Sequence, residues 1–197
     1  MWGPRGVRRG VGIVIGALLV LLSASPADSL GEQPVRRRLK GFAPAGSPQP
    51  VRVELIAEHA SVQRGGTTRI GVSFDVEEGW HIYAKEPGDA GLPTTIQWVV
   101  PHGIRVGALQ WPTPQEFLDP GNIRTFGYAG AVVLSSPLTT SSQAVALHTV
   151  PIHAQVEWLA CKALCVPGSA ELDLVLPIST TPPFFSPHAQ LFEQSNE

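Results

Sequence analysis

Cys161 and Cys165 are the only thiols among 197 residues, with three residues between them in Cys161-Lys162-Ala163-Leu164-Cys165. That spacing lets the two Cα atoms come within the roughly 4.4–6.8 Å that a disulfide requires. Three chemistries are open to such a pair. The first is dithiol–disulfide exchange, which Lys162 favours because a nearby cation stabilises the thiolate. The second is a local staple. In the chain-entropy model, closing a loop of about five residues is worth about 2 kcal/mol, against about 3 for fifteen. Such a bond joins nothing distant, whereas the bridge of antibody domains links strands on opposite sheets. The third is metal ligation, which would need partners such as His81 or His153 and fits no familiar zinc spacing. Thioether copper chemistry is excluded, since the only Met is the initiator. The Trp-Cys-x-x-Cys start of a thioredoxin helix is absent as well.

The elements that must hold this pair read as strands. Ile70, Val72, Phe74 and Val76 alternate with polar or small residues, as do Val51, Val53, Leu55 and Ala57. This is the period of two expected of half-buried strands. Trp80 to Ala84, Thr94 to Val100, Ile104 to Ala108 and Ala131 to Leu134 continue the pattern. Val145 to Thr149 with Ile152 to Trp158, and then Leu172 to Leu176, complete it. Seven to nine short strands with frequent turn signals predict an all-β chain folded as an immunoglobulin-like β-sandwich. The 20 Gly and 19 Pro agree with a turn-rich fold. A helical stripe is visible only near Pro187 to Gln194. Two stretches break the rhythm: residues 85–93, a loop dense in Gly and Pro, and residues 111–130, a long connection rich in Pro and aromatics. A loop of that length in a compact domain is more often functional than idle. The cysteine pair falls in a short connection at one end of the sandwich, just after the Val156–Trp158 run.

The amino terminus places the domain. Arg5, Arg8 and Arg9 precede an apolar run from Val11 to Leu22 and then Ser23-Ala24-Ser25-Pro26-Ala27. This is the order of a secretory signal, giving residues 1–27 as a signal peptide. Twelve apolar residues are short of the roughly 20 that span a bilayer, so contact with a membrane is expected only if the signal is retained as an anchor. The remainder is expected to be periplasmic or otherwise extracytoplasmic, where disulfides persist. Residues 28–50 carry Arg36, Arg37, Arg38 and Lys40 among four prolines and read as a disordered linker. Residues 51–180 form the domain, and residues 181–197 a C-terminal tail. Removing Arg5, Arg8 and Arg9 with the signal leaves 11 basic against 16 acidic side chains. That acidic balance offers no footprint for nucleic acid.

Several blocks together resemble a known group. They are Gly79-Trp80-His81-Ile82-Tyr83, Pro87 to Pro93, Trp111-Pro112, Phe126-Gly127-Tyr128-Ala129-Gly130, and Cys161 through Gly168. Their order is similar to that in the periplasmic amino-terminal domain of DsbD- and ScsB-type thiol:disulfide interchange proteins. The resemblance implies an immunoglobulin-like fold carrying one redox-active cysteine pair, with no metal or organic cofactor. It implies that Cys165 is joined to the partner in a mixed disulfide and that Cys161 resolves it, with Lys162 assisting by charge. It also implies an aromatic cap over residues 115–128, carried by Phe117, Phe126 or Tyr128, with His81 and Tyr83 near the sulfurs. For each aromatic, plain core or loop packing is the competing reading. Asp89 and Glu116 are further candidates, as proton acceptors.

The function expected is that of an exported thiol:disulfide oxidoreductase shuttling reducing equivalents between proteins. The donor would be a thioredoxin-like protein or a membrane reductase, and the acceptors periplasmic disulfide proteins. No multi-helix membrane segment or thioredoxin domain is present in the sequence, so the reductant is expected to be a separate protein. The rival is a non-catalytic binding module of the cell envelope whose cysteines form a structural local disulfide.

Overall fold

A computed structural model of the chain describes residues 49–141 and 148–194. The signal peptide, residues 28–48 of the linker, and the start of the run read from Val145 lie outside the described residues. The described chain is an immunoglobulin-like β-sandwich of two sheets. The first contains β1 (Val51–Ala57), β3 (Thr67–Val76), β9 (Gly130–Thr140) and β6 (Ile104–Val106), in the order β1-β3-β9-β6. The second contains β2 (Val62–Gln63), β11 (Cys165–Ser179), β10 (Thr149–Cys161), β4 (His81–Gly88), β8 (Ile123–Tyr128) and β7 (Gln115–Asp119), in that order. A further strand, β5 (Thr95–Val99), shares one edge of β10 with β4. β5 pairs along His153–Glu157, and β4 pairs at Ala160 and Cys161.

Alternation decides what each face buries. On β3, Ile70, Val72 and Phe74 are fully buried, and on β10 Val150, Ile152, Ala154 and Val156 face them across the sandwich. Residues between these positions on β10 are more exposed, as the pleat requires. Burying each of these Val, Ile and Phe side chains stabilises the fold by about 1.5–3 kcal/mol before entropy is counted. Trp158 closes the core with its ring edge-on to Phe74, centroids 5.9 Å apart.

The outer face of the first sheet carries a second, small cluster. There α1 (Ala189–Gln194) seats Phe192, 1% exposed, against Ile56 and Val133. Gly71 permits this, because a Cβ at that position would press on Val133 and on the Phe192 ring. The described part of the 181–197 segment is therefore packed against the sandwich. Among the described residues, no helix is long and apolar enough to cross a membrane.

Two expectations need correction. Residues 111–130 are not one long loop, because they contain the β7–β8 hairpin, paired from Gln115↔Gly127 to Asp119↔Ile123. The turn is Pro120-Gly121-Asn122, with positive φ at Gly121 (92°) and Asn122 (61°). The hairpin escaped the periodicity argument because its inward positions are mixed, Phe117 with Asp119 and Thr125. The 85–93 loop is likewise shorter than read, since β4 continues to Gly88 after an irregularity in its pairing with β8 beyond Tyr83. Eleven strands among the described residues thus exceed the seven to nine expected.

Candidate functional site

β10 and β11 form one continuous antiparallel hairpin, paired from Thr149↔Pro177 up to Cys161↔Cys165. The two cysteines are the last pair before the Lys162-Ala163-Leu164 turn, and they are joined in a disulfide. Their environments differ. Cys161 is 2% exposed, whereas Cys165 is open to solvent. Leu164, beside Cys165, is 65% exposed.

Strand parity dictates what surrounds the sulfurs. On β4, Ile82 and Ala84 enter the inter-sheet core, so His81 and Tyr83 point to the opposite face. Cys161 lies directly across from His81 in the β10–β4 ladder, which puts both side chains on that face. Tyr83 sits opposite Gly127, and Phe117 sits opposite Thr125. The same parity brings Phe117, Asp119 and Thr125 over the site. Ring contacts agree. The Phe117 ring stacks on His81 at 4.3 Å between centroids and 12° between planes, while Tyr83 meets His81 edge-on at 5.2 Å. The Tyr83 hydroxyl lies 4.0 Å from Cys165 Sγ.

The site is enclosed by its own backbone geometry. Gly127 has no room for a Cβ, which would collide with the carbonyl of Ile82, so only glycine lets β8 close on β4 here. Gly91, with φ of 100°, lies directly against the Tyr83 ring.

Burial leaves a chemical signature. His81 is 4% exposed, and its Nε2 has no hydrogen-bond partner. The nearest anionic atom is Asp119 Oδ2, at 3.8 Å. That carboxylate accepts a 2.8 Å hydrogen bond from Thr125 Oγ1. Desolvation lowers the His81 pKa below the ordinary 6.5, opposed by the Asp119 charge. The Tyr83 phenol is raised, first by burial and then by Asp119.

The remaining sequence candidates lie elsewhere. Tyr128 is buried in the inter-sheet core, with its hydroxyl donating to the Pro112 carbonyl at 2.8 Å, and its pKa is pushed up to about 12 by burial. Phe126 packs on the same core. Both have the parity of Ile82, so neither shares the face that carries Phe117, His81 and Cys161. Lys162 is exposed and reaches back over Gly79, donating to the Glu78 carbonyl at 3.4 Å. Glu116 pairs with Arg124 at 3.0 Å on the outer face of the β7–β8 hairpin. Asp89 accepts a hydrogen bond from the Arg124 backbone N–H at 3.2 Å. The acidic side chain that does reach the site is Asp119, which sequence reasoning passed over. Its signal was the i, i+2 relation to Phe117. His153 is held by Asp173 at 2.9 Å. Among the described residues no group of three or more His, Cys, Asp or Glu is placed to hold a metal ion.

The family model described as thiol:disulfide interchange protein DsbD, N-terminal, matches residues 49–177. A search of the curated proteins gave no match. Among solved structures, the N-terminal periplasmic domain of ScsB from Proteus mirabilis superposes with a TM-score of 0.52 at 19% identity. That match covers 81% of this chain and 58% of the other, so this chain spans little more than half of that protein's solved length. The reduced DsbD N-terminal domain of Neisseria meningitidis aligns at 16% identity and a TM-score of 0.38, over 66% of this chain and 89% of that one. With the family model covering most of the sandwich, including both cysteines, this chain belongs to the DsbD N-terminal family of thiol:disulfide interchange domains.

Proposed function

We propose that this chain is an exported electron carrier that shuttles reducing equivalents between proteins through the Cys161/Cys165 pair. The observation that carries this reading is the unequal exposure of two bonded sulfurs at a hairpin tip: Cys165 open, Cys161 covered. An incoming thiolate attacks the sulfur it can reach in line, so the mixed disulfide forms on Cys165 and Cys161 leaves. In the opposite direction, the reduced Cys165 thiolate attacks an acceptor disulfide. Cys161 then attacks Cys165 Sγ, expelling the acceptor thiol and restoring the intramolecular bond. Two electrons move in each cycle. The donor is a thioredoxin-like protein or a membrane reductase, and the acceptors are disulfide-bonded proteins of the periplasm, in keeping with residues 1–27 as an export signal.

The staple reading finds little support in the same geometry. The hairpin is already closed by a continuous ladder from Thr149↔Pro177 onward. A bond at its tip restrains a loop of only about five residues, worth about 2 kcal/mol in the chain-entropy model.

Trapping tests the proposal. Cys161→Ala, expressed in the periplasm, is expected to accumulate mixed disulfides through Cys165 that dissolve on reduction. Cys165→Ala is expected to trap few or none. Absence of adducts from both variants would favour the staple, and adducts from Cys165→Ala alone would reverse the two roles.

A further inference from the structure

Cys161, His81 and Asp119 present their side chains on one face of the second sheet, the first two on neighbouring strands and Asp119 on β7 beside His81. Cys161 and His81 are directly opposed residues on neighbouring strands, a relation that sets Cβ atoms about 4.5–5.5 Å apart. His81 Nε2 is buried, without a hydrogen-bond partner, and 3.8 Å from Asp119 Oδ2. We propose that His81 takes the proton from the Cys161 thiol when Cys161 resolves a mixed disulfide, and that Asp119 is the positioning residue that holds the resulting imidazolium.

The inference rests on the exchange reading above and deepens it. Cys161 is 2% exposed, so bulk water is not at hand to take its proton as the thiolate forms. A local base is therefore needed at neutral pH. His81 suits the task because desolvation keeps it neutral at rest. The titratable and charged groups facing it are few. Tyr83 stands on its own strand, Cys161 on β10 and Asp119 on β7, while β8 contributes the neutral Thr125. Glu116 and Arg124 face outward and neutralise each other.

The step balances. With a partner sulfur bonded to Cys165, the Cys161 S–H proton passes to the His81 imidazole, and the Cys161 thiolate attacks Cys165 Sγ. The Cys161–Cys165 bond forms, and the bond from Cys165 to the partner breaks. The partner sulfur leaves as a thiolate carrying the electron pair, and the imidazolium returns its proton to that sulfur or to solvent.

The full chain, reduced and mixed with oxidised glutathione, should release two glutathione thiols in sequence. The second release reports resolution by Cys161. Its rate is expected to rise with pH through an inflection well below the free-thiol range of about 8.5. In His81→Gln, the second release at pH 7 should slow about 10-fold or more, with the inflection moved up into the thiol range. Asp119→Asn leaves the His81 ring and its Phe117 stack in place, and it should also slow the second release and shift the inflection. An unchanged profile in Asp119→Asn, or in a folded His81→Gln, overturns the assignment alone. Failure of the wild-type chain to release the second thiol overturns the exchange reading, and this inference with it.

Discussion

The Phe117 ring lies flat on the His81 imidazole, 4.3 Å between centroids. His81 is itself the cross-strand neighbour of Cys161, so the β7–β8 hairpin, through Phe117 and Asp119, packs on the residue next to the disulfide. Aromatic pairs of this kind contribute about 0.5–1.5 kcal/mol beyond area burial. Phe117→Ala should therefore loosen the cap, while the core beneath, built from other residues, stays intact. Reduction of the disulfide by dithiothreitol should speed up several-fold, to about 10-fold at most, if the stacking energy sets the cost of opening. Stopped-flow reduction of the two proteins measures this directly. Equal rates would mean that Phe117 does not govern access.

The Tyr83 ring, whose hydroxyl lies 4.0 Å from Cys165 Sγ, occupies space left by the absence of a side chain at Gly91. Gly91 adopts φ of 100°, and a Cβ there would overlap the Tyr83 ring. Gly91→Ala forces both a left-handed conformation on an L-residue and a collision with that ring. The cost expected is about 1–3 kcal/mol, read as a lowered urea midpoint. A double-mutant cycle separates the two causes. With Tyr83→Ala in place the collision is gone, so Gly91→Ala should cost less there than in the parent. Additive costs would assign the whole effect to backbone strain.

The sandwich was legible because its core strands keep a strict alternation. Phe74 and its neighbours on β3, and Ile152 with its neighbours on β10, face one apolar core and announce their period. The cap hairpin was not legible, because its inner face serves the site. Asp119 and Thr125 are polar yet covered, and Leu118, on the outer face, is 71% exposed. The ordinary inside–outside rule is inverted there, so the pattern of two looked like a loop. The lid aromatics could not be sorted by type either. Phe117, Phe126 and Tyr128 are distinguished only by strand parity, which becomes visible once the pairing of β8 with β4 is known. The cysteines were found from spacing alone, but their unequal exposure arises where Cys161 is paired with His81 of β4 while Cys165 stays open. That is a tertiary fact.

Acid should destabilise the fold in two separate stages, carried by His81 and Glu58. The His81 imidazole is held below 6.5, chiefly by burial and against the pull of Asp119. As pH falls through 6.5 the unfolded chain takes up this proton first. Stability therefore declines from there down to the folded-state pKa and levels off below it. Glu58 acts lower. Its carboxylate receives hydrogen bonds from Arg69 Nε at 3.1 Å and Nη2 at 2.6 Å, and these hold its pKa below 4.5 despite burial. The stability from that pair is complete above the unfolded-state value of 4.5 and is lost as pH falls through the folded one. Urea midpoints recorded across the acid range should accordingly fall once below 6.5 and again below 4.5. His81→Phe, which keeps a stacking ring, should abolish the first decline and leave the second. Arg69→Met should weaken the second and also cost about 2 kcal/mol at neutral pH, because the largely covered Glu58 carboxylate loses its two charged hydrogen bonds and keeps only His59, 3.7 Å away. It also removes the 3.3 Å hydrogen bond that Arg69 donates to the Phe192 carbonyl, so amide exchange in α1 should accelerate together with the loss of stability. A His81→Phe protein that retained the upper decline would assign that titration to another group. An Arg69→Met protein with undisturbed α1 exchange would show that Phe192 alone, through its contacts with Ile56 and Val133, anchors the helix.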